Sequence, residues 1–417
     1  MFRKKLTKKK IAFLINWARE LDFYDEFIKR FNNDNIDIIV NNIQSVENER
    51  KNNSEFIIKR LEEKKIKYVL FSEVYGKVKY KMLISTGLSC PKKISVSSIL
   101  RFIYGKTIGR ILELFKLDLV LIKFFNKPFT AGGDKVKIYR EWFPEKNLGS
   151  KIIFFPRSMD LRLKFFPNEK FEKVFDIFLC HGKLDRYLIE NKFKNKKDNF
   201  IIGYPRYDGD YDLSKIKKKI FSEFNLDYKK KVIFWCPTYI EEKKETSKNI
   251  DIWVDKISSL IKNYNIILRP HPKNLVMDQN LLNKLRKKNF SIDQNNDRKL
   301  IELYSVADLV LVDCGGSVLA SVYLKKNFAV LDLPSNLKFI KRLIDTEALD
   351  YKIRKELYPE MIIGHNDNSF NERINNLLNL KRSSFSNKLK EKYFCNSEEK
   401  ISISDLAKKF EKTLVNE

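Results

Sequence analysis

The sequence contains little cysteine, glycine and proline. Its five cysteines are widely spaced and form no Cys-x-x-Cys pair, so we predict neither a disulfide framework nor a structural zinc site. This cysteine usage is typical of a reducing cytoplasm. Only 13 glycines and 11 prolines occur in 417 residues, which excludes collagen-like, linker-like and low-complexity architectures.

Long apolar runs are also missing. No stretch reaches the roughly 18 uninterrupted apolar residues of a membrane-spanning helix. The amino terminus begins like a signal peptide, with basic residues before Ile11–Trp17, but this apolar stretch is short and no small-residue cleavage site follows it. We therefore interpret Ile11–Trp17 as a buried strand and expect a protein that is soluble or peripheral.

Positive charge and aromatic residues are abundant. The chain has 82 Lys and Arg against 54 Asp and Glu, a net charge of +28, of which residues 1–200 carry +19. Such a surface attracts nucleic acid, anionic lipid or phosphorylated substrates alike. Since the sequence contains no aromatic–basic RNA motif, helix-turn-helix pattern or zinc finger, we predict no nucleic-acid partner. The 43% hydrophobic content suffices for sizeable cores.

Short apolar runs alternate with amphipathic stretches nearly throughout the chain. This alternation predicts an α/β fold with two Rossmann-like, doubly wound domains that face each other across a cleft. We place the domains at residues 1–205 and 206–390, with a closing helix at 391–417. The predicted strands are Ile11–Ile15, Ile36–Val40, Lys67–Phe71, Lys81–Ser85, Lys151–Phe155, Phe175–Cys180, Lys231–Trp235, Asn265–Leu268, Leu309–Val312 and Ala329–Leu331.

One of only three histidines, His271, follows a predicted strand directly. It lies in the segment Ile-Ile-Leu-Arg-Pro-His-Pro-Lys, so Arg269 and Lys273 flank it with positive charge. In doubly wound sheets ligands bind at the carboxyl ends of strands. We therefore predict that Arg269, His271 and Lys273 belong to a functional site, although an isolated loop histidine more often has only a structural role.

A second motif follows the strand Leu309–Val312. The strand ends at Asp313, Gly315 and Gly316 form a tight turn, and Ser317 stands where a helix begins. Glycines allow a phosphate to approach the backbone, and the N–H groups of a helix amino terminus favour an anion. Any strand–helix loop can need such a turn, so the motif gains weight from its position after Arg269–Lys273 in the same domain.

Two shorter features are ambiguous on sequence alone. Thr238 follows the strand Lys231–Trp235, where it either contacts a phosphate or a base or merely caps the next segment. Asp208-Gly209-Asp210 has the Asp-x-Asp spacing of metal-dependent glycosyltransferases, but Asp-Gly is also an ordinary turn. We favour the turn and predict no metal ligands.

Taken in order, these motifs resemble the CDP-glycerol glycerophosphotransferase family. The resemblance rests on Gly203-Tyr204-Pro205-Arg206, Val232–Thr238, Arg269-Pro270-His271-Pro272 and Ala307–Ser317, and it covers about residues 150–335. These enzymes extend teichoic-acid-like or capsular polymers and share the two-domain GT-B fold with many nucleotide-sugar glycosyltransferases. The resemblance thus implies a GT-B transferase that takes a nucleotide-activated donor.

The chain departs from this family at two places. Where the family has Asp-Tyr-Ser-Ser, this chain has Asp313-Cys314-Gly315-Gly316, so backbone replaces side-chain hydroxyls. The family's first-domain Trp-His-Gly histidine is missing from the expected position, which reads Phe-Pro-Arg-Ser-Met-Asp and ends at Asp160. Three alternatives stay open: His181 is the catalytic base, Asp160 or another carboxylate is, or there is no base.

The resemblance implies a mechanism without a cofactor. The donor diphosphate would rest on the second domain, bound by Gly315, Gly316 and Ser317 with Asp313 and Thr238 nearby. Arg206, Arg269, His271 and Lys273 would supply positive charge in place of a metal. A first-domain base would take the proton of the acceptor hydroxyl, and the cations would stabilise the leaving phosphate.

The implied acceptor is a lipid-linked or polysaccharide chain. Residues 101–127 carry six basic and two acidic residues among many large apolar ones. This pattern favours a partly buried helix, while its basic edges also suit an anionic membrane face. We expect a cytoplasmic protein, either free or peripheral on the inner face of the plasma membrane.

Several functions remain in competition. Transfer of glycerophosphate or polyol phosphate competes with transfer of a sugar from a CMP- or UDP-linked donor in capsule or lipopolysaccharide synthesis. A catalytically inactive GT-B scaffold is suggested by the missing histidine. A nucleic-acid-binding protein, suggested only by the charge, is the weakest alternative.

Overall fold

The computed structural model describes most of the chain. The described residues are 11–16, 20–32, 34–42, 53–87, 144–156, 163–194, 196–240, 248–278, 280–295, 297–380, 383–395 and 398–415. Asp160 and the basic segment 101–127 lie outside them.

The first half of the chain forms a parallel sheet. Its strand order is β3-β2-β1-β4-β5-β6-β7, in which the chain moves first to one side of β1 and then to the other. The strands are β1 (Ile11–Ile15), β2 (Ile36–Val40), β3 (Val69–Leu70), β4 (Tyr80–Ser85), β5 (Gly149–Phe154), β6 (Ile177–Cys180) and β7 (Asp198–Ile201).

The second half forms another parallel sheet of the same type. Its order is β10-β9-β8-β11-β12-β13, again reversing direction beside its first strand. The strands are β8 (Val232–Cys236), β9 (Asn265–Leu268), β10 (Ser291–Ile292), β11 (Leu309–Val312), β12 (Phe328–Leu331) and β13 (Ile362–Ile363).

Helices connect the strands of both sheets. In the first half these are α1 (Glu20–Ile28), α2 (Asn53–Glu63), α3 (Phe71–Val74), α4 (Pro144–Leu148), α5 (Glu169–Val174) and α6 (Lys183–Lys192). In the second half they are α7 (Leu213–Glu223), α8 (Lys248–Ser258), α9 (Pro272–Met277), α10 (Leu281–Arg286), α11 (Leu300–Val306), α12 (Gly316–Tyr323), α13 (Lys338–Asp345), α14 (Leu349–Arg354), α15 (Phe370–Asn379), α16 (Ser383–Tyr393) and α17 (Ile403–Val415).

The predicted doubly wound fold is confirmed. Strands β1, β2, β9 and β11 have the predicted bounds, because strands covered on both faces are mainly apolar and stand out in the sequence. The predicted boundary at residue 205 falls between β7 and β8. We did not predict β7, β10 and β13, which are short or polar, and Phe71 begins a helix instead of ending a strand.

The last helix returns to the first sheet. Leu406, Ala407 and Phe410 of α17 are buried in the same apolar cluster as β1 and β2. The Phe410 ring lies 6.4 Å from that of Phe27 in α1. The predicted tail helix therefore packs on the first sheet after the chain has completed the second. No helix within the described ranges is long and apolar enough to cross a membrane.

Candidate functional site

The second sheet has its crevice between β8 and β11. These strands are neighbours, and the chain leaves them toward opposite edges of the sheet. Ligands of doubly wound sheets bind at the carboxyl ends of the strands beside such a reversal. Thr238 lies just beyond β8 and Asp313 directly follows β11, so two predicted site residues border this crevice.

Asp313 holds the two loops of the crevice together. Its carboxylate accepts hydrogen bonds from the Thr238 N–H at 3.0 and 3.1 Å and from the Asn249 side-chain amide at 2.6 Å. Burial raises the pKa of Asp313, while the bonds from Asn249 and Thr238 oppose that rise. Because its oxygens are already engaged, Asp313 shapes the crevice and does not present an unpaired carboxylate.

Thr238 provides a second connection between the same loops. Its hydroxyl donates a 2.7 Å hydrogen bond to the carbonyl oxygen of Cys314. From the sequence alone, Thr238 is either a ligand contact or a local cap. In the structure the hydroxyl proton is donated to Cys314, which is distant in sequence. The hydroxyl is therefore held at the crevice, and its oxygen can still accept a hydrogen bond from a ligand.

The two glycines of the turn have different environments. Gly315 has a φ of +73°, which favours glycine, and its N–H donates a 2.6 Å hydrogen bond to Asp350. Gly316 begins α12, and a Cβ added there would meet no atom of the described residues within 4 Å. The first N–H groups of a helix have no intrahelical partner, so Gly316 and Ser317 remain suited to an anion, whereas the Gly315 N–H serves Asp350.

Ser317 also stabilises the turn. Its hydroxyl donates a 3.1 Å hydrogen bond to the Cys314 carbonyl oxygen, the acceptor that Thr238 uses as well. The predicted phosphate contact of Ser317 is thus left to its backbone N–H and hydroxyl oxygen.

His271 is fixed at the start of α9. Its Nδ1 accepts a 3.1 Å hydrogen bond from the Lys273 N–H, so the neutral imidazole carries its proton on Nε2. The ring lies 5.7 Å from that of Tyr239, and the Lys273 ammonium is 5.4 Å from the same tyrosine ring. These three side chains form the aromatic, cationic flank of the crevice.

Arg269 is less available than its motif suggests. Its guanidinium forms an ion pair with Asp293, and its side chain is only 11% exposed. Asp293 also accepts a 2.9 Å hydrogen bond from the fully buried Arg298. Since its charge is paired, Arg269 supports the carboxyl ends of β9 and β10 and offers little to an anion.

Arg206 lies between the two halves of the molecule. Its guanidinium is 5.9 Å from the ring of Phe23 in α1 and 5.9 Å from that of Tyr207. Burial raises the pKa of Cys236, at the end of β8, to about 12, and Arg269 and Arg206 oppose that rise. Both arginines therefore lie near the carboxyl end of β8.

His181 is buried at the junction of the two halves. It is 2% exposed, its Nδ1 lies 2.9 Å from the Gly203 carbonyl oxygen, and its Nε2 is buried with no hydrogen-bond partner among the described residues. Burial lowers its pKa to about 4. A base must meet the acceptor hydroxyl, so this geometry favours a structural role for His181 and argues against it as the base.

The Asp-x-Asp segment is occupied by other contacts. Asp208 accepts hydrogen bonds from Tyr323 and from the Tyr204 N–H, and it pairs with Lys400 at 2.7 Å. Asp210 pairs with Arg30 at 3.0 Å. These contacts favour the turn interpretation, and in the described ranges no group of three or more His, Cys, Asp or Glu side chains could hold a metal ion.

Sequence reasoning missed three polar residues of the site, namely Asn249, Asp293 and Asp350. Each acts on a partner distant in sequence, as when Asp350 accepts from Gly315 across 35 residues. The one available signal was the position of Asp293 directly after Phe-Ser-Ile, whose alternation of apolar and polar residues resembles a short strand.

Residues 169–334 match a family model described as CDP-glycerol:poly(glycerophosphate) glycerophosphotransferase. The match contains His181, Arg206 and all the crevice motifs from Thr238 to Ser317. No curated protein sequence matches the chain. The predicted family resemblance is confirmed over this segment.

Solved structures share the fold. The wall teichoic acid polymerase TagF, in a variant soaked with CDPG for 15 minutes, aligns with a TM-score of 0.56 at 14% identity, over 99% of this chain and 90% of that chain. A UDP-GlcNAc 2-epimerase from Methanocaldococcus jannaschii aligns with a TM-score of 0.50 at 15% identity, over 98% and 100%. At such identities the likeness shows the GT-B-like fold alone.

Proposed function

We propose that this chain transfers glycerol phosphate from CDP-glycerol to a surface polymer. Its match over residues 169–334 indicates an enzyme of the CDP-glycerol glycerophosphotransferase type. The observation that carries this proposal is the convergence of three loops inside the matched segment. Thr238, His271 and the Gly315–Gly316 turn follow β8, β9 and β11, which are adjacent in the sheet. A doubly wound sheet binds its ligand at such a place.

The diphosphate of the donor would bind at the turn. The N–H groups of Gly316 and Ser317 are the first of α12, whose dipole favours an anion, and no described residue would contact a Cβ at Gly316 within 4 Å. The Nε2–H of His271 and the ammonium of Lys273 add two donors from the β9 side. These groups suit a donor held without a metal, so we expect activity in the presence of EDTA.

The reaction is a displacement at phosphorus. A hydroxyl oxygen of the acceptor attacks the phosphorus that bears glycerol, a new P–O bond forms, and the P–O bond to CMP breaks. The bond electrons leave with the CMP phosphate oxygen, where His271 and Lys273 would stabilise the charge. The acceptor's proton passes to a base or to water.

The base would come from the first half of the chain. Asp160 and His181 are the two predicted candidates. Because His181 is buried and its pKa is lowered to about 4, we favour Asp160.

The acceptor would be a lipid-linked polymer at the inner face of the plasma membrane. Residues 1–200 carry +19 of the net charge of +28, which would attract the chain to anionic lipid. Binding to anionic vesicles should therefore exceed binding to neutral ones and should weaken as salt is added. Equal binding to both vesicle types would contradict this part of the proposal.

The direct test is a transfer assay with the purified chain. CDP-glycerol labelled in glycerol is incubated with a lipid-linked glycerol phosphate primer, and incorporated label and released CMP are both measured, with and without EDTA. We expect label and CMP in equal amounts. Transfer only from UDP-GlcNAc or a CMP-sugar would support the sugar-transferase alternative, and no transfer from any donor would support the inactive scaffold.

A further inference from the structure

A polar cluster lies on the β12 side of the crevice. Asp332 directly follows β12, where its N–H donates a 2.8 Å hydrogen bond to the Ile363 carbonyl oxygen. Its side chain, 44% exposed, pairs with Arg354 of α14, which is 14% exposed. The Arg354 guanidinium also lies 5.4 Å from the ring of Tyr351. Asp332, Tyr351 and Arg354 form what we call the β12 cluster.

The β12 cluster adjoins the Gly315–Gly316 turn. Asp350, on the same short helix as Tyr351 and Arg354, accepts the 2.6 Å hydrogen bond from the Gly315 N–H. Burial raises the pKa of Cys314, and Arg354 is close enough to oppose that rise. A group bound at the turn therefore has the β12 cluster on one side and Tyr239, His271 and Lys273 on the other.

The two flanks differ in chemistry. The β9 flank offers an aromatic ring and two cationic or donor groups, which suit the stacking of a base and contact with phosphate. The β12 cluster offers a carboxylate that only accepts hydrogen bonds and a guanidinium that only donates them. A hydroxyl does both, so neighbouring hydroxyls can donate to Asp332 and accept from Arg354 at once.

We propose that Asp332 and Arg354 bind the hydroxyl groups of the polyol that the donor transfers, and so determine which group is transferred. This inference rests on the proposed function, because it assumes a donor whose diphosphate lies at the turn. The ion pair holds each side chain in place before the donor arrives. When the donor binds, Asp332 and Arg354 would take the place of the water molecules that hydrate two neighbouring hydroxyl groups of the polyol.

The test compares two ligands, one with and one without the transferred polyol. Dissociation constants of CDP and CDP-glycerol are measured by calorimetry on the full chain, on Asp332→Ala and on Arg354→Met, which keeps an apolar stem beside Tyr351. We expect each variant to bind CDP-glycerol about tenfold more weakly while its affinity for CDP is unchanged, since a hydrogen bond to a charged group is lost. Asp332→Asn replaces Asp332→Ala if the latter fails to fold.

The matched control is Asp255→Ala. Asp255 of α8 forms an exposed ion pair with Lys288 at 2.7 Å. We expect the affinities of this variant for CDP and for CDP-glycerol to stay at the wild-type values. Equal weakening of CDP and CDP-glycerol in the β12 variants would show that the cluster holds the nucleotide, and unchanged affinities would show that it holds nothing. Either outcome overturns the inference. A wild-type chain that binds neither ligand would instead refute the proposed function, and this inference with it.

Discussion

The hydroxyl of Thr238 donates a 2.7 Å hydrogen bond to the carbonyl oxygen of Cys314, which joins the loop after β8 to the turn after β11. Asp313 reinforces the connection by accepting the Thr238 N–H. These bonds cross the point where the sheet reverses direction. The crevice is therefore shaped by the chain itself before any ligand binds, which lowers the ordering cost of binding.

Replacing Thr238 tests this preorganisation. Thr238→Val keeps the shape but removes the hydroxyl, and we expect a loss of about 1 kcal/mol in the free energy of unfolding, since one hydrogen bond disappears. CDP should bind several-fold more weakly because the turn is less ordered. Calorimetry and urea unfolding measure both effects. Thr238→Ser retains the hydroxyl, so a similar loss of affinity in that variant would contradict the account.

The two glycines of the turn should respond differently to alanine. Gly315 has a φ of +73°, so Gly315→Ala should cost about 1–2 kcal/mol of stability through backbone strain. Gly316 begins a helix, and a Cβ there would meet no described residue within 4 Å, so Gly316→Ala should leave stability unchanged or slightly higher.

Donor affinity completes the comparison of the two glycines. The new methyl group of Gly316→Ala would project where we place the diphosphate, so CDP should bind more weakly to this stable variant. Calorimetry with CDP and thermal unfolding of both variants provide the measurements. Wild-type affinity in Gly316→Ala would place the diphosphate elsewhere.

The burial of His181 predicts how stability depends on pH. Its pKa in the folded chain is lowered to about 4, below the ordinary value of 6.5, so the unfolded chain binds more protons between these values. Its contribution is therefore complete above pH 6.5 and is lost as the pH falls toward 4. At pH 5 the loss is about 2 kcal/mol.

Urea unfolding at pH 7 and pH 5 measures this loss. His181→Gln should become less sensitive to acid by that amount, whereas His365→Gln should behave like the wild type. The same acid sensitivity in His181→Gln and the wild type would show that His181 is not a buried neutral imidazole.

Lys299 joins α1 to the loop that precedes α11. Its ammonium lies 3.0 Å from the Asp25 carboxylate and 2.7 Å from that of Glu26. Burial raises the pKa of Asp25, but Lys64 and Lys299 outweigh it, so the net pKa is lowered. Lys299→Met should therefore cost about 1–2 kcal/mol, between the values of surface and buried pairs.

Salt provides the check on this ion pair. The stability difference between Lys299→Met and the wild type should shrink in 1 M NaCl, where exposed charges are screened. Lys219→Met, which breaks the exposed pair with Glu302 inside the second half, serves as the control and should change stability little. A cost for Lys299→Met no larger than that of the control would show that the pair does not hold the two halves together.

The sequence predicted the fold better than the site. Strands such as β1 and β11 are buried on both faces and are visible as apolar runs, whereas β10 and β13 have two residues each and carry no periodic signal. The positions of Thr238, His271 and Gly315 at the carboxyl ends of strands were predictable because parallel strands end at one edge.

The partners of these residues were not predictable. The sequence does not show that Arg269 forms an ion pair with Asp293, or that the Gly315 N–H donates a hydrogen bond to Asp350. Both partners come from loops distant in sequence, so only the tertiary structure brings them together. The burial of His181 was not predictable either, because nothing near it in the sequence indicates that it is only 2% exposed.

The measurement that tests the central claim most directly is transfer from CDP-glycerol by His271→Asn. Asparagine can keep the cap of α9 by accepting the Lys273 N–H, so folding should be preserved while the imidazole is lost. We predict a decrease of about 100-fold or more in kcat/KM, with an unchanged melting temperature and with His365→Gln as active as the wild type. A His271→Asn variant that transfers glycerol phosphate at the wild-type rate would contradict the account.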